Sequence, residues 1–111
     1  MKFEQKKNGD TTYFKLKERK LDSTVAPTLK AEYLILCKPK VSKKLVIDLH
    51  DVQFCDSSGL SALLIAERTM REHGGELHLV NVNKKVLDLL KISQLDRYIA
   101  VDKTVAEATK N

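Results

Sequence analysis

The stretch VQFCDSSGL, residues 52–60, sets an acid, two serines and a glycine where an apolar strand-like run gives way to a helical pattern. Hydroxyls beside a carboxylate first suggest a nucleophile. A serine nucleophile needs a base, most often histidine, and His50, His73 and His78 stand in no motif with Ser57. The strained G-x-S-x-G turn is also missing, because Cys55 lies two residues before Ser57 and Gly59 two after. No GxxxxGK phosphate loop is present, and the histidines lack metal-ligand spacing, so neither a bound cofactor nor a metal is expected. Two uses of the serines remain. Asp56, Ser57 or Ser58 can cap a helix by accepting from the free N–H groups of its first turn, a contribution of about 0.5–2 kcal/mol. The other use is phosphorylation. A phosphoserine adds roughly −1.5 to −2 charge, which the N–H groups and dipole of a helix N-terminus accommodate. A partner packed over this corner would have to desolvate that dianion beside Asp56, and the complex would come apart.

The elements that must position these groups follow from periodicity. A helix is expected from about residue 57 to 73, stopped by Gly74-Gly75. At 100° per residue, Leu60, Ala62, Leu63, Ala66 and Met70 gather on the side facing the core, while Ser57, Ser61, Ile65, Arg68 and Glu72 gather on the other. Ile65 is an apolar residue in the middle of a solvent face and so a contact candidate. Upstream, Leu45-Val46-Ile47 with Leu49 predicts a strand covered on both faces. Residues 3–7 and 11–18 form a hairpin about the Asn8-Gly9-Asp10 turn. Asp22 or Ser23 then caps a helix with Pro27 in its first turn, an inward stripe of Val25, Leu29, Tyr33, Leu34, Leu36 and Cys37, and Pro39 as its stop. After the central helix come a strand in ELHLVNV, a short helix in KKVLDLLKIS with Val86, Leu89, Leu90 and Ile92 inward, a strand in DRYIAV and a terminal helix capped by Asp102. The order β-β-α-β-α-β-α-β-α, with right-handed crossovers, gives an α/β fold with a mixed, largely parallel sheet, an N-terminal hairpin and four helices.

Composition bounds the function classes. At 111 residues and 42% hydrophobic, the chain is expected to be one domain over residues 1–111. The longest uncharged run, residues 57–66, is about half of the roughly 20 apolar residues a membrane helix needs, and residues 1–10 lack a signal-peptide centre. A soluble, cytoplasmic protein without membrane insertion is the expectation. Cys37 and Cys55 lack CxxC spacing and sit among apolar neighbours, as buried thiols of a reducing compartment do. Residues 1–44 hold twelve Lys and Arg against five Asp and Glu, and the rest hold eight against ten. That imbalance could serve a nucleic acid or an acidic membrane surface. However, Lys15 and Lys17 alternate with Phe14 and Leu16 as on the wet face of an edge strand, and no aromatic-rich RNA motif accompanies them, so no DNA or RNA partner is expected.

LVIDLHDVQFCDSSGLSALLIA, the Gly-Gly turn, ELHLVNVNKKVLDLLKISQLDRYIAV and a closing helix resemble the STAS domain, the sulphate transporter and anti-sigma factor antagonist family, over about residues 11–109. The resemblance implies a STAS-like fold and a non-catalytic regulatory role. In the anti-sigma factor antagonists of this family the first serine of D-S-S-G is phosphorylated by a partner serine kinase that also sequesters a sigma factor, and the unphosphorylated antagonist binds that kinase. Carried across, Ser57 is the phosphoacceptor, Asp56 and Ser58 flank it and Gly59 permits close approach. A serine phosphatase completes the cycle. Asp22, in RKLDSTVAP, matches the acid of the family's G-E-L-D segment, with Arg19 in place of its glycine. Ser61 occupies a position where a smaller residue is common. The expected partner-binding set is therefore Asp22, Asp56, Ser58, Gly59, Ser61 and Ile65. The alternative within the family is a constitutive scaffold subunit of a lipid-transport or stress-signalling complex, in which Ser57 only caps its helix.

Overall fold

In the computed structural model, which describes residues 1–36 and 43–109, the chain runs β1 (Phe3–Asn8), β2 (Thr11–Leu16), β3 (Lys20–Leu21), α1 (Ala26–Leu36), β4 (Lys44–Asp48), β5 (Phe54–Cys55), α2 (Ser57–Glu72), β6 (Glu76–Val80), α3 (Lys84–Ile92), a 3-10 turn (Leu95–Arg97), β7 (Ala100–Asp102) and α4 (Val105–Ala108). β1 and β2 are the expected antiparallel hairpin, with Asn8 opposite Thr11 across the Gly9-Asp10 loop. The remaining pairs of the main sheet, β2 with β4, β4 with β6 and β6 with β7, are parallel, in the order β1-β2-β4-β6-β7. Each parallel pair is joined through a helical crossover, the connection that parallel strands require.

Period-2 alternation divides the sheet into two unequal faces. Phe14, Leu16, Leu45, Ile47, Leu77 and Leu79 join the large cluster, covered by Leu29 and Tyr33 of α1, Ala62, Leu63, Ala66 and Met70 of α2, and Val86 and Leu90 of α3. Full burial of each of the Phe, Leu, Ile, Val and Met side chains contributes about 1.5–3 kcal/mol. Among the described residues, the buried apolar cluster on the opposite side is small, Val46 and Val80 of the sheet against Ala108 of α4, with Tyr13 and Val105 packed against them. This explains why β4 reads as a continuous apolar run: α1 and α2 cover one side of it and α4 the other. On that thinner side, buried Asp48 accepts a 2.6 Å hydrogen bond from the Tyr13 hydroxyl and a 2.9 Å bond from the His50 N–H. Burial, then the neighbouring Asp48 carboxylate, raise the Tyr13 phenol far above its ordinary range.

Several sequence expectations are corrected. Two short strands, β3 and β5, intervene in the expected order and form a separate parallel sheet. Of DRYIAV only Ala100 and Val101 are strand, continued by Asp102, because Leu95–Arg97 turns into a 3-10 segment after Gln94 takes the left-handed conformation. The α4 cap is Thr104, whose hydroxyl accepts from the Glu107 N–H at 3.2 Å, whereas Asp102 lies 2.6 Å from His78 Nδ1. Leu34 and Ile92, both assigned inward, are 74% and 79% exposed, since a stripe wide enough to include them exceeds the arc each helix buries. Cys37 and Pro39 lie outside the described residues.

Candidate functional site

The corner around Ser57 is built by the sheet that the sequence did not reveal. β3 and β5 pair in parallel, Lys20 opposite Phe54 and Leu21 opposite Cys55. The Arg19 carbonyl accepts from the N–H groups of Gln53 (2.8 Å) and Phe54 (3.2 Å), and the Leu21 carbonyl from that of Asp56 (3.3 Å). Parallel strands in register end together, so Asp22 and Asp56 emerge at the same end of this sheet. A further tie comes from Asn83, which caps α3 by accepting from the Val86 N–H at 2.8 Å while its amide donates to the Val52 carbonyl at 2.9 Å.

Asp56 is the N-cap of α2. Its extended backbone (φ −105°, ψ −172°) lets Oδ1 accept from the Gly59 N–H at 3.0 Å, while its carbonyl accepts the first helical bond from Leu60 at 2.9 Å. The serines are therefore released from capping. Ser57 is exposed, and among the described residues no hydrogen bond engages its hydroxyl. Nor does any hydrogen bond link it to a histidine: the His50 ring lies 3.1 Å from Asp51, and the His78 ring lies between Asp102 and Glu76. The arrangement offers an accessible, unrestrained hydroxyl at a helix N-terminus, with no base attached.

Gly59 is buried, and the close approach expected there is internal: a Cβ would lie 2.2 Å from the Leu21 carbonyl oxygen and 2.7 Å from Cys55 Sγ. It contributes by seating α2 on β3 and β5, which corrects its place among surface contacts. Beneath it, burial and then the Asp56 charge push the Cys55 thiol up to about 12. Such a thiol is a packing group and a poor nucleophile. Asp22 turns its Oδ1 to the Thr24 hydroxyl (2.5 Å) and N–H (3.0 Å), and these two bonds, hydroxyl first, hold its carboxyl below the ordinary range, with Lys20 assisting.

Ser61 is exposed one turn beyond Ser57, on the outer side of α2 where its spacing placed it, whereas Ser58 is half-buried. Ile65 is only partly exposed and packs against the main core, so it forms the margin of that face rather than a free contact. Sequence reasoning missed Phe54, which is 42% exposed next to the corner. It lines two grooves. One, of about 470 Å³, runs to Leu89 and Ile92 of α3. The other, of about 690 Å³, runs to Arg19, Lys20 and Lys2. No sequence signal marked Phe54, since an apolar residue in an apolar run reads as core.

The profile of the family described as the STAS domain matches residues 2–108. The chain belongs to the STAS domain family. An anti-sigma-B factor antagonist of Listeria monocytogenes is 30% identical over 91 residues, 82% of this chain and 79% of that protein. A candidate anti-sigma factor antagonist of Thermotoga maritima is 32% identical over 65 residues, and the match spans 59% of this chain and 58% of the relative's length. The crystal structure of a Thermotoga maritima protein so described is similar at TM-score 0.84 and 28% identity, covering 96% of this STAS chain and 90% of the other. The phosphorylated form of the Bacillus cell fate determinant SpoIIAA shares the fold at TM-score 0.74 and 19% identity, covering 96% of both chains. Among the described residues, no helix is long and apolar enough to cross a membrane.

Proposed function

We propose that this STAS chain is a non-catalytic phospho-switch of the anti-sigma factor antagonist type, which binds an anti-sigma serine kinase while Ser57 is unmodified. The observation that carries the reading is the division of labour at the start of α2: Asp56 caps the helix and leaves the Ser57 hydroxyl exposed and unbonded. In the step proposed, Ser57 Oγ attacks the γ-phosphorus of ATP held by the kinase, the hydroxyl proton passes to the kinase's base, and the bond to the ADP leaving group breaks. A serine phosphatase reverses the state by hydrolysis. The added dianion is tolerated by the isolated domain, because Ser57 is exposed and stands at the positive end of α2. A partner covering Ser57, Ser61 and Asp22 would have to strip water from that charge beside Asp56, so modification releases it.

The test is phosphorylation by serine kinases from the same genome with ATP, mapped by mass spectrometry. A single phosphate on Ser57, abolished in Ser57→Ala, is expected. Modification elsewhere, or none with any such kinase, would overturn the switch. The exposed Phe54–Leu89–Ile92 groove favours a second reading, a constitutive scaffold subunit, because an apolar surface beside the corner suits a permanent interface. That reading expects a co-purifying complex indifferent to Ser57→Asp, whereas the switch expects Ser57→Asp to dissociate it.

A further inference from the structure

The second groove beside Phe54 carries more positive than negative charge, and the fold offsets only part of it. It is an open trough of about 690 Å³ walled by Lys2 before β1, by Lys17, Glu18 and Arg19 between β2 and β3, by Lys20 of β3, and by Asp22 and Phe54. Lys17 is occupied by Glu4 at 3.0 Å, and the Glu18 carboxylate accepts from the Lys2 backbone N–H at 2.8 Å. Arg19 reaches only the neutral Gln53 amide oxygen, at 3.3 Å. Among the described residues, no ion pair engages the side chains of Lys2, Arg19 or Lys20. These cations differ from the edge-strand lysines that discourage sheet aggregation, since Arg19 and Lys20 sit away from β1, on the segment that pairs with β5.

We propose that this groove selects the partner: it receives an acidic segment of the protein that covers Ser57, with Arg19 and Lys20 reading the charge and Phe54 seating an apolar side chain of that segment. The inference rests on the switch reading of Ser57 and adds the chemistry of the docking partner. The groove meets the Ser57 corner at Asp22 and Phe54, so a single protein can cover both. A protein segment suits the walls better than a nucleic acid does. Glu18, Asp22 and the Gln53 amide interrupt the cations, whereas a phosphate backbone calls for a continuous positive track. Opposed charges of this kind steer encounter and reject wrong partners more than they add affinity.

The test is an NMR titration of the isotopically labelled protein with a short peptide of alternating Glu and Leu. A Lys/Leu peptide, inorganic phosphate and single-stranded DNA serve as comparisons. The expected result is movement of the Arg19, Lys20, Gln53 and Phe54 amide signals with the acidic peptide alone. Affinity should fall as salt rises and drop at least about tenfold in R19E/K20E. The milder R19A/K20A should bind with intermediate affinity, and it carries the test where the charge reversal disturbs folding. Equal binding by the double variant, shifts spread evenly over Lys6, Lys7 and Lys15, or saturation of the groove by phosphate or DNA would overturn it. Ser57→Asp should leave peptide binding intact, because the groove does not use Ser57. Thus a silent groove with Ser57 phosphorylated removes this inference alone, whereas a binding groove with Ser57 never modified removes the switch.

Discussion

Gly59 is the residue at which the candidate site is most sensitive to a single methyl. With a Cβ 2.2 Å from the Leu21 carbonyl oxygen, Gly59→Ala must push α2 off β3, and a backbone atom cannot yield as a side-chain tip can. The expected loss is about 1–3 kcal/mol, read from the urea midpoint. Ser57 is the opposite case. It is exposed and unbonded, so Ser57→Asp should change stability by no more than about 0.5 kcal/mol, which allows any loss of binding to be assigned to charge. Thr12 offers a stabilising change: its hydroxyl is buried without a hydrogen-bond partner among the described residues. Replacing it with the similarly shaped valine should raise stability by up to about 1 kcal/mol in the same urea measurement.

At the scale of elements, the site depends on two strands of two residues each, held largely by the bonds from the Arg19 and Leu21 carbonyls. Strands this short have little cooperative pairing of their own, and they persist because Leu21 and Cys55 are buried beneath α2. Leu21→Ala should therefore cost about 2–5 kcal/mol and also loosen the corner. Hydrogen exchange can separate these effects: the Asp56 and Gln53 amides should lose more protection than those in the centre of β4. The helices were legible because their apolar faces repeat over many residues, as Ala62, Leu63, Ala66 and Met70 do in α2. β3 and β5 were not, since two residues hold no period and their pairing partners lie more than thirty positions apart. The cap was legible only as a choice among Asp56, Ser57 and Ser58, because all are competent acceptors and only backbone geometry selects one.

For the molecule as a whole, burial raises ionisable groups on both sides of the sheet, Tyr13 on the thin side and Cys55 beneath α2. Cys55 of β5 lies under α2 within the large core cluster, and burial followed by the Asp56 charge raises its thiol from the ordinary 9.0 to about 12. The folded state thus holds this proton more tightly than the unfolded chain. Its stabilising contribution is complete below pH about 9 and fades as pH rises toward about 12. Urea midpoints measured across that range should fall more steeply for the wild type than for Cys55→Ala, while thiol-reactive dyes should label Cys55 only as fast as the domain opens. The thin face has different ties: Lys44 of β4 donates to the Ala108 carbonyl of α4 at 2.9 Å, and His78 of β6 meets Asp102 of β7 at 2.6 Å, so polar bonds help hold α4 and β7 where little apolar surface is available.

By itself the sequence determined the hairpin, the central buried strand, the amphipathic helix after Asp56 and the STAS likeness, because each is written in neighbouring residues or in a short repeat. Only the tertiary structure decided which acid caps α2, that Gly59 serves the interior, that Phe54 and Ile92 face outward, and that the basic segment at Arg19 and Lys20 borders the Ser57 corner. Those outcomes depend on which distant segments share a sheet, and that is settled by the packing of both faces at once rather than by any local preference.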